Sequence, residues 1–396
     1  MKKNLLFIMP SLSAGGGEKS LVNLLSQIDY ELYNVDLFLL NHNGIFMEFV
    51  PKEVQILSLP KSYNLFSLPL IKSIIKLLLK GKITLAYNRI LFSINRNFEN
   101  ISVREQKNWK YLSKSLNVIE KKYDVAIGFL EKTSTYFCVD KVEASQKIGW
   151  VHIDYDKLGM DPSIDNVYFR KLNNIVTVSE ECSTILKKRF PNEKDKVDVI
   201  YNIVSPKLIN EMAKQVITDL YEKKDDEIVI LSIGRLHYQK GFELAIESCK
   251  KLIEKGYKLK WYVIGDGEER EKLTNLIERY NLEENFILLG LKSNPYPYIK
   301  QVDIYAQTSR FEGKSIAIDE AKIMNKPIVV TNFSTAKDQI NDRIDGIIVD
   351  MDADCVVKGI EMLINDQTLR EELIFNLSQM NLGTEEEIDK LYNLFY

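Results

Sequence analysis

Short apolar runs of three to seven residues recur along this chain, each followed by a stretch in which apolar residues return every three or four positions. In the first half the runs fall at residues 4–9, 34–40, 54–57, 124–130, 147–151, 175–178 and 197–201. A continuous apolar run of that length reads as a strand buried on both faces, and the longer period reads as a helix with one face covered. Alternating the two builds a parallel sheet with crossover helices. Between residues 202 and 226 the rhythm weakens and charge accumulates in the run YEKKDDE. It then starts afresh, predicting strands at 228–233, 259–264, 286–289, 303–306, 328–330 and 346–349 and helices at 242–255, 268–280 and 313–324. The pattern therefore predicts two doubly wound α/β domains facing a cleft, 1–205 and 206–396.

One segment departs from the alternation. Residues 61–98 hold Lys61, Lys72, Lys76, Lys80, Lys82, Arg89 and Arg96 among leucines and isoleucines, without a single aspartate or glutamate. An acid-free, apolar helical stretch suits a surface resting on anionic lipid. It equally suits helices packed on the sheet with their lysines outward.

Composition narrows the partners. A chain of 396 residues matches about two domains, and 53 basic against 56 acidic residues leave a net charge of −3. No global field recruits nucleic acid. Cys138, Cys182, Cys249 and Cys355 are scattered and only three histidines occur, so neither a disulfide framework nor a zinc site is expected. The start Met1-Lys2-Lys3 followed by residues 5–9 imitates a signal peptide, but Pro10 and three glycines interrupt it. No window reaches transmembrane length. The expectation is a cytoplasmic protein, to which the lipid-facing reading of 61–98 adds peripheral contact with the inner face of the cell membrane and the packed-helix reading does not.

Candidate chemistry gathers at the ends of predicted strands, where open α/β sheets bind ligands. Gly15, Gly16 and Gly17 lead from the first strand into a helix whose N-terminus can receive an anion. GxGxxG is absent, so this is not the dinucleotide fingerprint. His152 and Asp154 follow the strand at 147–151. In SIGRLHYQKG, Gly234 and Arg235 end a strand and Lys240-Gly241 open a helix, placing two cations to converge on a diphosphate. Gly265 and Gly267 make a tight turn after the next strand. In TSRFEGKSIAIDEA, Glu312 and Gly313 are expected in the first turn of a helix, with Lys314 and Ser315 after them and Glu320 eight residues beyond Glu312. That spacing is about 12 Å if both are helical. It suits two carboxylates holding opposite ends of an extended ligand, or two solvated helix glutamates.

With these motifs in order (AGGGEKS, VHID, VTVSE, SIGRLHYQKG, VIGDGEER and TSRFEGKSIAIDEA), the chain resembles a family 4 glycosyltransferase of GT-B architecture over nearly its whole length. The last motif is the most specific, matching the family's E-x7-E element in context. The resemblance implies retaining transfer of a sugar from a nucleotide donor, of which UDP is the family's usual nucleotide, without cofactor or active-site metal. It further implies that Arg235 and Lys240 neutralise the diphosphate and that Glu312 contacts the transferred sugar. Glu320 takes the ribose hydroxyls, Gly16 and Gly17 approach phosphate or acceptor, and His152 lies beside the reacting sugar. Gly234, Gly265, Gly313, Lys314 and Ser315 complete the implied donor site. Many relatives carry an aromatic and a proline or glycine where Lys314 and Ser315 stand, so the donor sugar does not follow by analogy. The implied acceptor is a surface glycan or lipid-linked oligosaccharide.

Two other readings compete. Asp154-Tyr155-Asp156 and Asp350-Met351-Asp352 have the DxD form of metal-dependent transferases. A non-catalytic GT-B subunit partnering an active enzyme is the alternative of another class, against which four intact candidate site residues argue.

Overall fold

The computed structural model describes residues 2–13, 15–95, 100–217 and 227–396. Arg96 and most of the charged run at 221–227 thus lie outside the described residues. The chain forms two compact units, Met1–Ser13 with Leu24–Ile200 and Ile388–Tyr396, and Ala14–Asn23 with Tyr201–Glu387. The division falls after Ile200, whereas the sequence suggested 205, and two short segments cross over: 14–23 belong to the second unit and 388–396 to the first.

The first unit carries a seven-stranded sheet. Its strands are β1 (Lys3–Met9), β2 (Tyr33–Leu39), β3 (Gln55–Ile56), β4 (Tyr123–Gly128), β5 (Ala144–Val151), β6 (Asn174–Thr177) and β7 (Val197–Val199), in the order β3-β2-β1-β4-β5-β6-β7. All neighbours pair parallel. Leu5, Leu6, Phe7, Val125 and Ile127 are fully buried, as covering both sheet faces requires. The segment 388–396 returns to this unit, where Tyr392 stacks on Tyr33 at 4.9 Å and the Phe395 carbonyl accepts from Lys3 Nζ at 3.0 Å.

The second unit repeats the plan with six strands. These are β8 (Ile228–Ile233), β9 (Leu259–Ile264), β10 (Phe286–Gly290), β11 (Ile304–Gln307), β12 (Ile328–Thr331) and β13 (Ile347–Val349), ordered β10-β9-β8-β11-β12-β13. This too is parallel throughout. In each sheet the winding reverses direction beside its first strand, between β1 and β4 and between β8 and β11. Loops leaving the carboxyl ends of those strands diverge to opposite faces and leave a crevice. Whatever the second unit binds is therefore approached by the loop after Ile233 and the loop after Gln307.

The acid-free segment folds as helices Lys61–Phe66, Leu70–Leu79 and Ile83–Ile94. Among the described residues no helix is long and apolar enough to cross a membrane.

Candidate active site

The two loops at the β8/β11 reversal are joined along their backbones. Arg310 donates from its amide to the Gln239 carbonyl at 2.7 Å, and Thr308 Oγ1 donates to the carbonyls of Lys240 (3.1 Å) and Gly241 (3.0 Å). This brings Lys240 Nζ to 2.5 Å from Glu312 Oε1. The same oxygen accepts from Ser309 Oγ at 2.6 Å and Gln307 Nε2 at 3.1 Å, and Oε2 accepts from Gln239 Nε2 at 3.1 Å. Glu312 is buried. A buried carboxylate is tolerated only when its lone pairs are filled and its charge matched, and all four donors serve that end.

The expectation that Glu312 and Gly313 open a helix is corrected. The helix spans Ile316–Ile323 with Ser315 as its N-cap residue, so Glu312 lies in the preceding loop. Side chains from other elements hold this entry: the Ser315 amide donates to Gln339 Oε1 at 2.7 Å and Ser315 Oγ to Gln307 Oε1 at 2.9 Å. The solvated reading of the two glutamates fails as well, because Glu320 is also buried. Tyr296 donates its hydroxyl to Glu320 Oε1 at 2.9 Å, and Lys19 pairs with the same oxygen while its ammonium stands 4.6 Å from the centre of the Tyr296 ring. Burial, and then the Glu320 charge, push the Tyr296 phenol well above its ordinary range, so it remains a donor.

Lys19 reaches this carboxylate from the helix Gly16–Leu25. Two further contacts fix residues 16–23 of that helix within the second unit: Ser20 Oγ donates to Asn202 Oδ1 at 2.7 Å and Asn23 Nδ2 to the Ile203 carbonyl at 2.9 Å, and Asn202 in turn donates from Nδ2 to the Lys314 carbonyl at 3.4 Å. A Cβ built on Gly16 would meet nothing within 4 Å. Lys314 lies over the Tyr201 ring, 4.2 Å from its centre.

The glycines after β8 and β9 set how closely these loops approach. A side chain at Gly265, whose φ is +155°, would place its Cβ 1.8 Å from the Gly234 carbonyl oxygen. A Cβ at Gly234 would come to 2.9 Å from Lys240 Cε, so its absence leaves Lys240 room to lie across the loop toward Glu312. Arg235 does not join it there: the side chain is exposed and, among the described residues, in no ion pair. The two expected diphosphate cations therefore occupy different settings, one matched to Glu312 and one in solvent.

In the first unit His152 follows β5. Its backbone amide donates to Glu131 Oε2 at 3.3 Å, and its ring lies 4.9 Å from Phe129 and 5.8 Å from Trp150. Burial pushes the imidazole down to about 3, with a backbone hydrogen bond at Phe129 opposing, so the ring is neutral near pH 7. Its Nε2 is buried and has no hydrogen-bond partner among the described residues. Both Asp-x-Asp triplets are engaged at helix starts. Asp154 Oδ1 accepts from the amides of Asp156 and Lys157, Arg189 donates from Nε to Asp156 at 2.9 Å, and Asp352 accepts from the Cys355 amide at 2.8 Å. Among the described residues no cluster of three or more His, Cys, Asp or Glu side chains is arranged to hold a metal ion.

Sequence reasoning missed Lys19, Tyr296, Gln239 and Gln307. Of these only Gln307 had a signal, being a polar residue that ends the otherwise apolar strand Ile304–Gln307.

Comparison with known proteins supplies the context. Residues 214–380 match the family described as Glycosyl transferases group 1. A Campylobacter jejuni enzyme, N-acetylgalactosamine-N,N'-diacetylbacillosaminyl-diphospho-undecaprenol 4-alpha-N-acetylgalactosaminyltransferase, is 30% identical over 188 residues, covering 47% of this chain and 49% of that one. The poly(ribitol-phosphate) alpha-N-acetylglucosaminyltransferase of Staphylococcus aureus is 24% identical over 268 residues, 63% of this chain and 51% of its own. The chain thus spans about half the length of these curated relatives. A crystal structure of a Staphylococcus aureus TarM mutant with fondaparinux, alpha-GlcNAc-glycerol and UDP superposes with a TM-score of 0.68 at 15% identity, covering 99% of both chains. The fold is GT-B.

Proposed function

We propose that the protein, whose residues 214–380 match the group 1 glycosyl transferases, is a retaining glycosyltransferase. It moves a hexose or N-acetylhexosamine from a UDP-sugar, with no metal required, to a surface-polysaccharide or lipid-linked oligosaccharide acceptor. One observation carries the reading: Glu312 and Glu320 are both buried beside a strand-end crevice, and each is matched to a lysine. Such pairs are costly to bury and contribute little net stability, so their presence asks for a ligand that uses them.

The roles follow from chemistry. Transfer breaks the bond between the anomeric carbon and the β-phosphate oxygen and leaves charge on the departing diphosphate. Lys240, and Arg235 once drawn in from solvent, meet that charge. Glu312 faces the sugar, whose ring gains positive character as the bond lengthens. Glu320 accepts from the ribose hydroxyls. The acceptor oxygen forms the new bond on the same face, and its proton passes to the leaving phosphate oxygen, so no separate base is needed. The neutral His152 is assigned to a hydroxyl of the reacting sugar. Gly16, Gly17, Gly234, Gly265, Gly313, Lys314 and Ser315 complete the donor-binding set. UDP in the TarM complex and the undecaprenol-linked substrate in the name of the Campylobacter enzyme support the donor and acceptor classes.

The test is thermal stabilisation by UDP, GDP, ADP and CMP without added metal, on the parent and on Glu320→Ala. A nucleotide at about a hundred times its Kd adds roughly 2.7 kcal/mol to the native state. Stabilisation by UDP alone, lost in the variant, is the expected result. No shift with any nucleotide overturns the reading in favour of a non-catalytic partner subunit.

A further inference from the structure

The helices Leu70–Leu79 and Ile83–Ile94 form a hairpin whose inner side is already filled. Phe66, Leu77, Leu85 and Ala86 make its core. Arg89, buried beside them, donates to the carbonyls of Phe66 at 2.7 Å and Leu68 at 3.2 Å. Surface helices ordinarily spend their apolar stripe on such a core and show polar residues outside.

Here a second apolar stripe faces away. Ile71, Ile75, Leu78 and Leu79 stand at i, i+4, i+7 and i+8 on the side opposite the buried Ser73 and Leu77. Ile71 is 74% exposed and Leu79 82%. On the next helix Ile83, Tyr87, Ile90 and Ile94 repeat the arrangement opposite Leu85 and Arg89, all four exposed. Nine of the 23 exposed large apolar side chains described for the chain fall within residues 70–94, so this is a patch and not scatter. Lys72, Lys76, Lys80 and Lys82 are exposed on the same two helices and their connection, and no acid occurs from 61 to 98.

We propose that this hairpin docks on a membrane surface rich in anionic lipid, lying in the interfacial plane with both stripes immersed and the lysines among the headgroups. Aliphatic side chains flanked by lysines are the composition of an interfacial helix. A second copy of the chain would bring the same lysines together with no acid in the segment to match them. Protein-binding patches favour aromatic residues and arginine at their centres, whereas these stripes hold seven aliphatic residues and one tyrosine. The inference does not rest on glycosyl transfer and can fail independently of it.

The test is flotation of the full chain with vesicles of phosphatidylcholine alone or with about a third phosphatidylglycerol, at low salt and at about 0.5 M sodium chloride. The parent is expected to float with the anionic vesicles at low salt and to be released by salt. Two double variants, Lys72→Glu with Lys76→Glu and Ile71→Ser with Leu79→Ser, change exposed side chains only. Each should lower the bound fraction at least tenfold with the thermal unfolding midpoint unchanged. Equal flotation with neutral vesicles, no flotation with either, or a concentration-dependent dimer dissolved by the serine variant would each overturn the proposal.

Discussion

Lys240 and Glu312, 72 residues apart in the chain, meet at 2.5 Å in the loops that leave β8 and β11. The contact joins the reach of a cation to the burial of a carboxylate. Replacing Lys240 with Met strands the Glu312 charge, and breaking one side of a buried pair costs about 3–5 kcal/mol. Adding Glu312→Gln should restore most of that loss while leaving transfer abolished. Urea unfolding of both single variants and the double variant measures it; a double variant no more stable than Lys240→Met counts against the pairing.

Glu320 draws Lys19 and Tyr296 onto one oxygen, so their contributions should not add. Tyr296→Phe removes a hydrogen bond whose net worth is about 1 kcal/mol. Combined with Lys19→Met in a double-mutant cycle, a coupling of roughly 0.5–3 kcal/mol is expected. A coupling of zero would mean that the two act on Glu320 separately.

His152 sets a pH window. Its imidazole falls from 6.5 in the unfolded chain to about 3 in the folded one, so between those values the unfolded state holds a proton that the native state lacks. Stability from this group is complete above pH 6.5 and lost as pH falls toward 3, by at most about 1.4 kcal/mol per pH unit. The buried carboxyls of Glu131 and Asp165 are raised and act in the opposite sense, so the comparison needs a variant. His152→Gln should be less sensitive than the parent between pH 7 and pH 5 by urea midpoint. Parallel profiles would place the ring in contact with water.

Gly265→Ala should separate folding from binding. Its Cβ would sit 1.8 Å from the Gly234 carbonyl oxygen, a backbone atom next to Arg235, so the loop after β8 must shift. Overpacking of this kind costs about 1–3 kcal/mol. Most of the unit should remain folded by circular dichroism, while the UDP stabilisation expected of the proposed transferase should disappear. Retained UDP binding would show that the turn lies away from the donor.

The strands were legible because parallel strands covered on both faces must be apolar throughout, as Leu5 to Met9 and Ile228 to Leu231 are. Glycine turns marked where the loops after β8 and β9 approach each other closely. What was not legible depends on partners far away in the chain. The helix expected from Gly313 begins at Ile316 because Gln339 and Gln307 claim the Ser315 amide and hydroxyl. Lys19 looked like any helix lysine, since nothing near it announces a carboxylate 301 residues further on. The acid-free segment announced its composition plainly, but only the fold decides which stripe of each helix is spent on its own core.

The return of residues 388–396 to the first sheet bears on biosynthesis. The Tyr392 hydroxyl accepts from the Asp29 amide, 363 residues earlier in the chain, at 2.8 Å. A ribosome making this chain exposes β1 and β2 long before their covering aromatics exist, and Tyr201–Glu387 of the second unit is synthesised in between. The sheet that emerges first is therefore finished late, across a very long loop. In the interval the Tyr33 ring lacks the two aromatic side chains, Tyr392 and Phe395, that cover it in the folded protein.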